Sequence, residues 1–325
     1  MPIGIKDWFS EFKDNIKSDK KSAFLKAGYY SYLGLWYTVT SRKPMGINVL
    51  DKKWDILLIL DACRVDAIRQ VSDEYEFIKD ISYIWSVGST SHEWLANTFT
   101  QNRLDVINST SYITGNGYSK MTFTDREYPP SGGSAPIGRP DWKVAEAQDL
   151  DHVEYVWEWG HDDKLGNVPP RTITDVSISY GRTHDFDRLI VHYVQPHAPY
   201  LHGPLIEDRQ PTSVEAKPMQ NLRNGNVSKE EVWNLYLDNL RLVLNEVEIL
   251  LDNIDGDKVV ITSDHGEAFG ELGFYDHPDG CVHPVVKKVP WIETKAVDKS
   301  SHDPDNYNRS RDIQRQQHLK DLGYL

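Results

Sequence analysis

Along the chain, short uninterrupted apolar runs alternate with stretches in which apolar residues recur every three or four positions. The run Ile56-Leu57-Leu58-Ile59-Leu60, closed by Asp61, carries no polar position on either side of a pleat. It therefore predicts a strand covered on both faces, as in a parallel sheet. Similar runs at 106–113, 153–157, 189–194 and 259–262 predict four more strands. Between the last two, Val232, Leu235, Leu240, Val243, Leu244, Val247, Leu250 and Leu251 form a stripe of period 3.6 and predict a long helix. Strands interleaved with helices imply right-handed crossovers, hence an α/β fold with a central, mostly parallel sheet sandwiched by helices.

The first 50 residues follow a different pattern. Ile5, Trp8, Phe9, Phe12 and Ile16 fall at helical spacing among Lys6, Lys13, Lys17, Lys20 and Lys21, and an aromatic stretch follows over 29–37. A basic amphipathic start suits a membrane surface or a partner, while the plainer reading is a helix packed on the main body by its apolar stripe. The turn-rich segment 128–136 predicts a long loop near a site, and 313–325 predicts a short closing helix. The expected organisation is an amphipathic, aromatic extension over 1–50 and a single α/β domain over 51–325.

Composition narrows the function classes. The 325 residues are 39% hydrophobic and 26% charged, which is ordinary globular material for one large domain or two small ones. Thirty-six Lys and Arg against 49 Asp and Glu give a net charge of −13. That balance argues against nucleic acid as a partner, because affinity for phosphate backbones comes from basic side chains. Two cysteines, Cys63 and Cys281, offer neither a disulfide framework nor a Cys-based zinc site, which suits a reducing interior. Charges are scattered from Lys6 onward, and no run of about 18 apolar residues occurs. The expectation is a cytoplasmic protein, peripheral at a membrane through its N-terminal segment, with no signal peptide or transmembrane helix.

In open α/β sheets ligands bind outside the carboxyl ends of the strands. Two such ends carry chemistry: Asp61-Ala62-Cys63-Arg64 and Thr262-Ser263-Asp264-His265-Gly266-Glu267. A carboxylate from one end and an Asp-His pair from the other can converge on a divalent cation, although Asp61 alone also reads as a turn former or helix cap. Between them, in Gly88-Ser89-Thr90-Ser91-His92-Glu93-Trp94, Thr90 and Glu93 have capping-box spacing. A hydroxyl thus opens a helix, where it either caps or serves as a nucleophile activated by a metal and the helix N-terminus.

Four segments in this order resemble the alkaline phosphatase superfamily, in its sulfatase-like branch. They are Leu58-Ile59-Leu60-Asp61-Ala62-Cys63-Arg64, the Ser89-Thr90-Ser91 turn, His192-Tyr193-Val194-Gln195-Pro196-His197-Ala198-Pro199-Tyr200, and Ile261-Thr262-Ser263-Asp264-His265-Gly266-Glu267-Ala268-Phe269-Gly270-Glu271. The resemblance spans 54 to about 292 together with the final residues 319–325. It implies an alkaline-phosphatase-like catalytic domain that transfers a phosphoryl or sulfuryl group. The formylglycine signature is missing, since Cys63 is followed by Arg64-Val65-Asp66 and Ser89 by Thr90-Ser91-His92-Glu93. An upstream Asp with a His four positions on, typical of two-zinc members, is also missing, since Asp238 is followed at that distance by Leu242.

The resemblance therefore implies a single-metal site similar to the branch that transfers glycerol phosphate or phosphoethanolamine to surface polymers. Its ligands would be Asp61, Asp264 and His265, holding Zn²⁺ or Mn²⁺ ahead of Mg²⁺ or Ca²⁺, with Thr90 as the nucleophile. His197 would bind an oxyanion or protonate the leaving oxygen. His277 would be a substrate contact or a ligand of a second cation. Arg64 would clamp a nonbridging oxygen or pair structurally with a carboxylate, and His192 reads as a strand histidine satisfied in the core. The expected activity is a metal-dependent phosphoryl- or sulfuryl-ester hydrolase with a covalent Thr90 intermediate, acting on esters carried by a glycan or lipid. The alternatives are a transferase onto a surface glycan or lipid, and a non-catalytic binding protein of a glycan or envelope assembly complex.

Overall fold

The computed structural model describes residues 20–129 and 137–305, with side chains from residue 24 onward. The expected stripe Ile5 to Ile16, most of the loop over 128–136 and the closing helix over 313–325 lie outside these residues. Seven strands form one sheet: β1 (Ile56–Leu60), β2 (Ser82–Trp85), β3 (Thr110–Thr114), β4 (His152–Tyr155), β5 (Arg188–Tyr193), β6 (Gly256–Thr262) and β9 (Lys288–Ala296). A separate two-stranded ribbon pairs β7 (Ala268–Phe269) with β8 (Tyr275–Asp276). The order across the large sheet is β2-β9-β6-β1-β5-β3-β4. The five strands from β6 to β4 are parallel, and only the β2-β9-β6 side is antiparallel. The longer helices are α1 (Lys20–Thr40), α2 (Val65–Val71), α3 (Ser91–Thr98), α4 (Pro170–Thr183) and α5 (Lys229–Leu251).

β1 explains its own apolar run. Ile56, Leu58 and Leu60 pack into a core shared with α2, α4 and α5, while Leu57 and Ile59 pack into a second core with Trp94, Phe99 and Tyr112 on the opposite face. With both faces covered, no position can be polar. Each such side chain contributes roughly 1.5–3 kcal/mol by burial, which makes β1 the stiffest place on which to mount a functional residue. The α5 stripe is buried as its periodicity predicts, except at Leu235, which stays partly exposed. The helix starts where the Ser228 hydroxyl accepts from the Glu231 N–H at 3.1 Å.

Two expected strands are displaced. Leu104–Ile107 is a helical turn, and the strand begins only at Thr110, where pairing with Arg188 to His192 of β5 fixes it. Likewise β4 ends at Tyr155 and Trp157–Gly160 turns helical.

Candidate metal centre and active site

β1 and β6 pair in parallel, so their carboxyl ends are neighbours and deliver Asp61 and Asp264-His265 to one place. His265 Nε2 lies 3.5 Å from Asp61 Oδ1 and 3.4 Å from Asp264 Oδ2. All three residues are buried. Backbone donors hold the turn: Asp264 Oδ1 accepts from the N–H of His265 at 2.9 Å and of Ala62 at 3.3 Å. Ala62 reaches that position with φ of 60°, a left-handed conformation uncommon for a residue with a Cβ. Gly266 is required by close approach, because a Cβ there would sit 2.1 Å from Val285 O.

Hydrogen bonds also decide which atoms stay free. His265 Nδ1 donates to Gly266 O at 2.9 Å, which leaves Nε2 as the lone-pair nitrogen turned to the carboxylates. Asp61 Oδ2 accepts from Asn116 Nδ2 at 2.8 Å and from Ser91 Oγ at 3.3 Å. Asp61 Oδ1, Asp264 Oδ2 and His192 Nε2 have no hydrogen-bond partner among the described residues, and all are buried. His192 corrects one sequence reading: Tyr112 OH, 2.6 Å from Nδ1, satisfies only half the ring, and Nε2 lies 3.8 Å from Asp264 Oδ2.

Burial pulls the imidazole of His265 down to about 3 and that of His192 to about 4, so both are neutral at pH 7. Burial and then the charge of Asp264 push the Asp61 carboxyl well above the usual carboxylate range. Two adjacent buried carboxylates with neutral imidazoles form a mixed oxygen and nitrogen donor set that a divalent cation neutralises. The orphaned atoms fit such an ion.

Of the two roles the sequence leaves open for Thr90, the structure shows the helix cap. Its Oγ1 accepts from the Glu93 N–H at 3.1 Å as the N-cap of α3 and lies 3.5 Å from Asp279 Oδ1. Glu93 reaches back past it, accepting from the N–H and hydroxyl of Ser89 at 2.8 and 2.7 Å. A cap oxygen occupied by a backbone donor faces along its own helix, and the next residue turns inward by about 100°. That residue is Ser91, whose Oγ lies 3.3 Å from Asp61 Oδ2 and 3.4 Å from His265 Nε2. Gly88 permits the turn, since a Cβ there would meet Trp94 N at 2.3 Å.

His277 and His197 form the next layer. The His277 ring lies 4.3 Å from that of His265 and 5.0 Å from that of His197, centroid to centroid. Its Nδ1 pairs with Asp276 Oδ1 at 3.0 Å and Glu267 Oε1 at 3.3 Å. Burial works against its proton, but these two carboxylates raise it well above the ordinary imidazole range. His197 is held by its own loop: its N–H donates to Asp61 O at 3.1 Å, and Asn239 Nδ2 of α5 donates to Pro196 O and His197 O. Glu267 and Asp276 were not singled out in the sequence, although Glu267 stands within the Asp-His motif itself.

Arg64 does not reach the centre with a free fork. It is buried, with Nε and Nη2 on Asp66 at 2.9 and 2.6 Å and Nη1 on Glu271 Oε1 and Glu267 O at 3.0 Å each. Its guanidinium carbon also lies 5.0 and 5.5 Å from the ring centroids of Trp233 and Phe269, which meet each other edge to face. The structural pairing is the one realised, and the expectation of a substrate clamp is corrected.

No protein-family model matches the chain, and no curated protein matches it. Solved structures do. The integral membrane lipooligosaccharide phosphoethanolamine transferase A from Neisseria meningitidis matches with a TM-score of 0.50 at 14% identity, over 91% of this chain and 59% of that one. The soluble domain of that transferase matches with 0.48 at 12%, over 76% and 77% of the two chains. A 2-O glycosaminoglycan sulfatase matches with 0.40 at 12%, over 75% and 64%. The likeness to the membrane transferase is one of fold: a mostly parallel central sheet flanked by helices. The chain spans about three fifths of the length of the membrane protein it resembles.

The cytoplasmic expectation is corrected at this point. The transferase that matches over 91% of this chain is an integral membrane protein. Among the described residues, no helix is long and apolar enough to cross a membrane.

Proposed function

We propose that the protein is a metal-dependent enzyme of phosphoric or sulfuric esters in which Ser91, in place of Thr90, is the nucleophile. The observation that carries this reading is the Ser91 hydroxyl set against Asp61 and His265, beside buried donor atoms with no other partner. Asp61, Asp264 and His265 would hold the cation, with His192 as a fourth donor. When bound, the cation supplies the positive charge that offsets the paired carboxylates and the charge developing on the transferred group. Zn²⁺ or Mn²⁺ suits this donor set best.

The Ser91 hydroxyl donates to Asp61 Oδ2, so its proton has an acceptor in place as Oγ attacks phosphorus or sulfur. The bond to the leaving oxygen breaks, and protonated His277, paired with Glu267 and Asp276, returns a proton to that oxygen. His197 binds a nonbridging oxygen. The resulting ester on Ser91 is resolved either by water or by an acceptor hydroxyl of a glycan or lipid. Residues 51–325 form the catalytic part and 1–50 an extension. The match to a membrane transferase supports an envelope location and a substrate on a lipid or glycan. A non-catalytic role is disfavoured by a hydroxyl standing where attack requires one.

The test is turnover of an aryl phosphate and an aryl sulfate by metal-stripped protein, with each divalent metal added back. Metal-dependent release of phenol from either ester supports the reading. No turnover with any metal counts against it.

A further inference from the structure

Helix α1 has two faces with different surroundings. Its inner face is tied to the site: Tyr32 OH donates to Gly280 O at 2.6 Å, Trp36 Nε1 to Glu93 Oε1 at 2.7 Å and Tyr37 OH to Asp279 Oδ1 at 3.0 Å. Through the same loop, Ser89 Oγ, whose proton goes to Glu93, lies 3.1 Å from Pro278 O and accepts from the Cys281 N–H at 3.2 Å. The outer face points to solvent. Leu25, Leu35 and Val39 are 67, 56 and 58% exposed, and with Gly28 they fall at i, i+10, i+14 and i+3. These spacings share one side of a helix and run for about 21 Å along it. Single exposed apolar residues are ordinary, whereas an aligned row marks a surface with an occupant.

Charge selects the occupant. The sequence over 20–43 holds Lys20, Lys21, Lys26, Arg42 and Lys43 and no Asp or Glu, in a chain whose net charge is −13. A second copy would bring this positive segment against itself. An anionic lipid surface meets both the apolar row and the flanking charge. The helix is not apolar enough to span a bilayer, so it would lie in the plane of the interface.

We propose that the outer face of α1 docks on an anionic lipid bilayer and holds the Ser89-to-Ser91 turn and the loop over 278–281 at the membrane surface. The docking does not depend on the reaction assigned to the site. The full chain is sedimented with vesicles of phosphatidylcholine alone and with phosphatidylglycerol added. Wild type should pellet with the anionic vesicles and release at high salt. The double variant Leu35→Asp with Val39→Asp should lose about tenfold or more in partitioning while keeping the wild-type melting temperature. Replacing Lys26, Arg42 and Lys43 by Gln should weaken binding to anionic vesicles only. A wild-type protein that stays in the supernatant overturns the proposal. So does a folded double variant that pellets like wild type, or a dimer of wild type that the double variant breaks with no vesicle binding by either.

Discussion

Asn116 donates to Asp61 Oδ2 at 2.8 Å, and with Ser91 on the same oxygen at 3.3 Å, Asp61 Oδ1 is the carboxylate oxygen with no partner among the described residues. A neighbour that orients a ligand in this way tunes metal affinity without touching the ion. Asn116→Ala should therefore weaken cation binding by about 10–100-fold, read by competition with a chelator, while thermal stability changes little. Unchanged affinity would assign Asn116 to packing alone.

Ser91 and Thr90 separate by different readouts. Ser91→Ala should lower turnover by about 10³-fold or more and leave metal content intact, since the hydroxyl is the attacking group. Thr90→Ala should cost the roughly 0.5–2 kcal/mol of a lost N-cap in denaturant melts and keep most activity. The reverse pattern would return the nucleophile to Thr90.

The proton on His277 depends on Glu267 and Asp276, which raise its pKa against the effect of burial. If that proton goes to the leaving oxygen, kcat/KM falls as pH rises through the His277 pKa. Glu267→Gln removes one of the raising charges, so the alkaline limb of the profile should move to lower pH. An unmoved limb takes His277 out of the acid role.

Arg64 anchors the segment after β6 through Glu271. Burial acts to raise the Glu271 carboxyl, but the hydrogen bond and charge of Arg64 bring it down to about 2 from an ordinary 4.5. A lowered carboxyl stabilises the fold above its unfolded value and loses that contribution as pH falls through about 2. Glu271→Gln should thus cost about 1–3 kcal/mol near neutral pH, with a smaller penalty at about pH 3, measured by denaturant unfolding at both. A penalty independent of pH would mean shape, not charge, is what Glu271 supplies.

The parts of the fold that were legible in the sequence are those where packing leaves one chemical choice. β1 reads directly because cores cover both its faces, and Asp264-His265 reads because polar residues directly after such a buried strand stand out. β9 carries Lys288, Pro290 and Glu293 among its apolar residues and β2 is only four residues long, so pairing at the sheet edge places them more than pattern does. Capping-box spacing located the start of α3 but could not say which of three neighbouring hydroxyls turns inward. The same limit applies to Asn116: the apolar run ends at 113 and the strand at Thr114, and an Asn two residues past that end carries no signal of its own. Arg64 was visible, but the saturation of its fork by Asp66 and Glu271 is a tertiary fact.

The central claim is that Asp61, Asp264 and His265 hold one divalent cation beside Ser91. The most direct measurement is metal content per chain after equilibration with Zn²⁺ or Mn²⁺ and removal of excess, for wild type and for Asp61→Asn and Asp264→Asn. Wild type should carry about one equivalent and each variant far less, with all three still folded by thermal melting. A wild-type chain that binds no metal, or variants that keep the full wild-type equivalent, would contradict it.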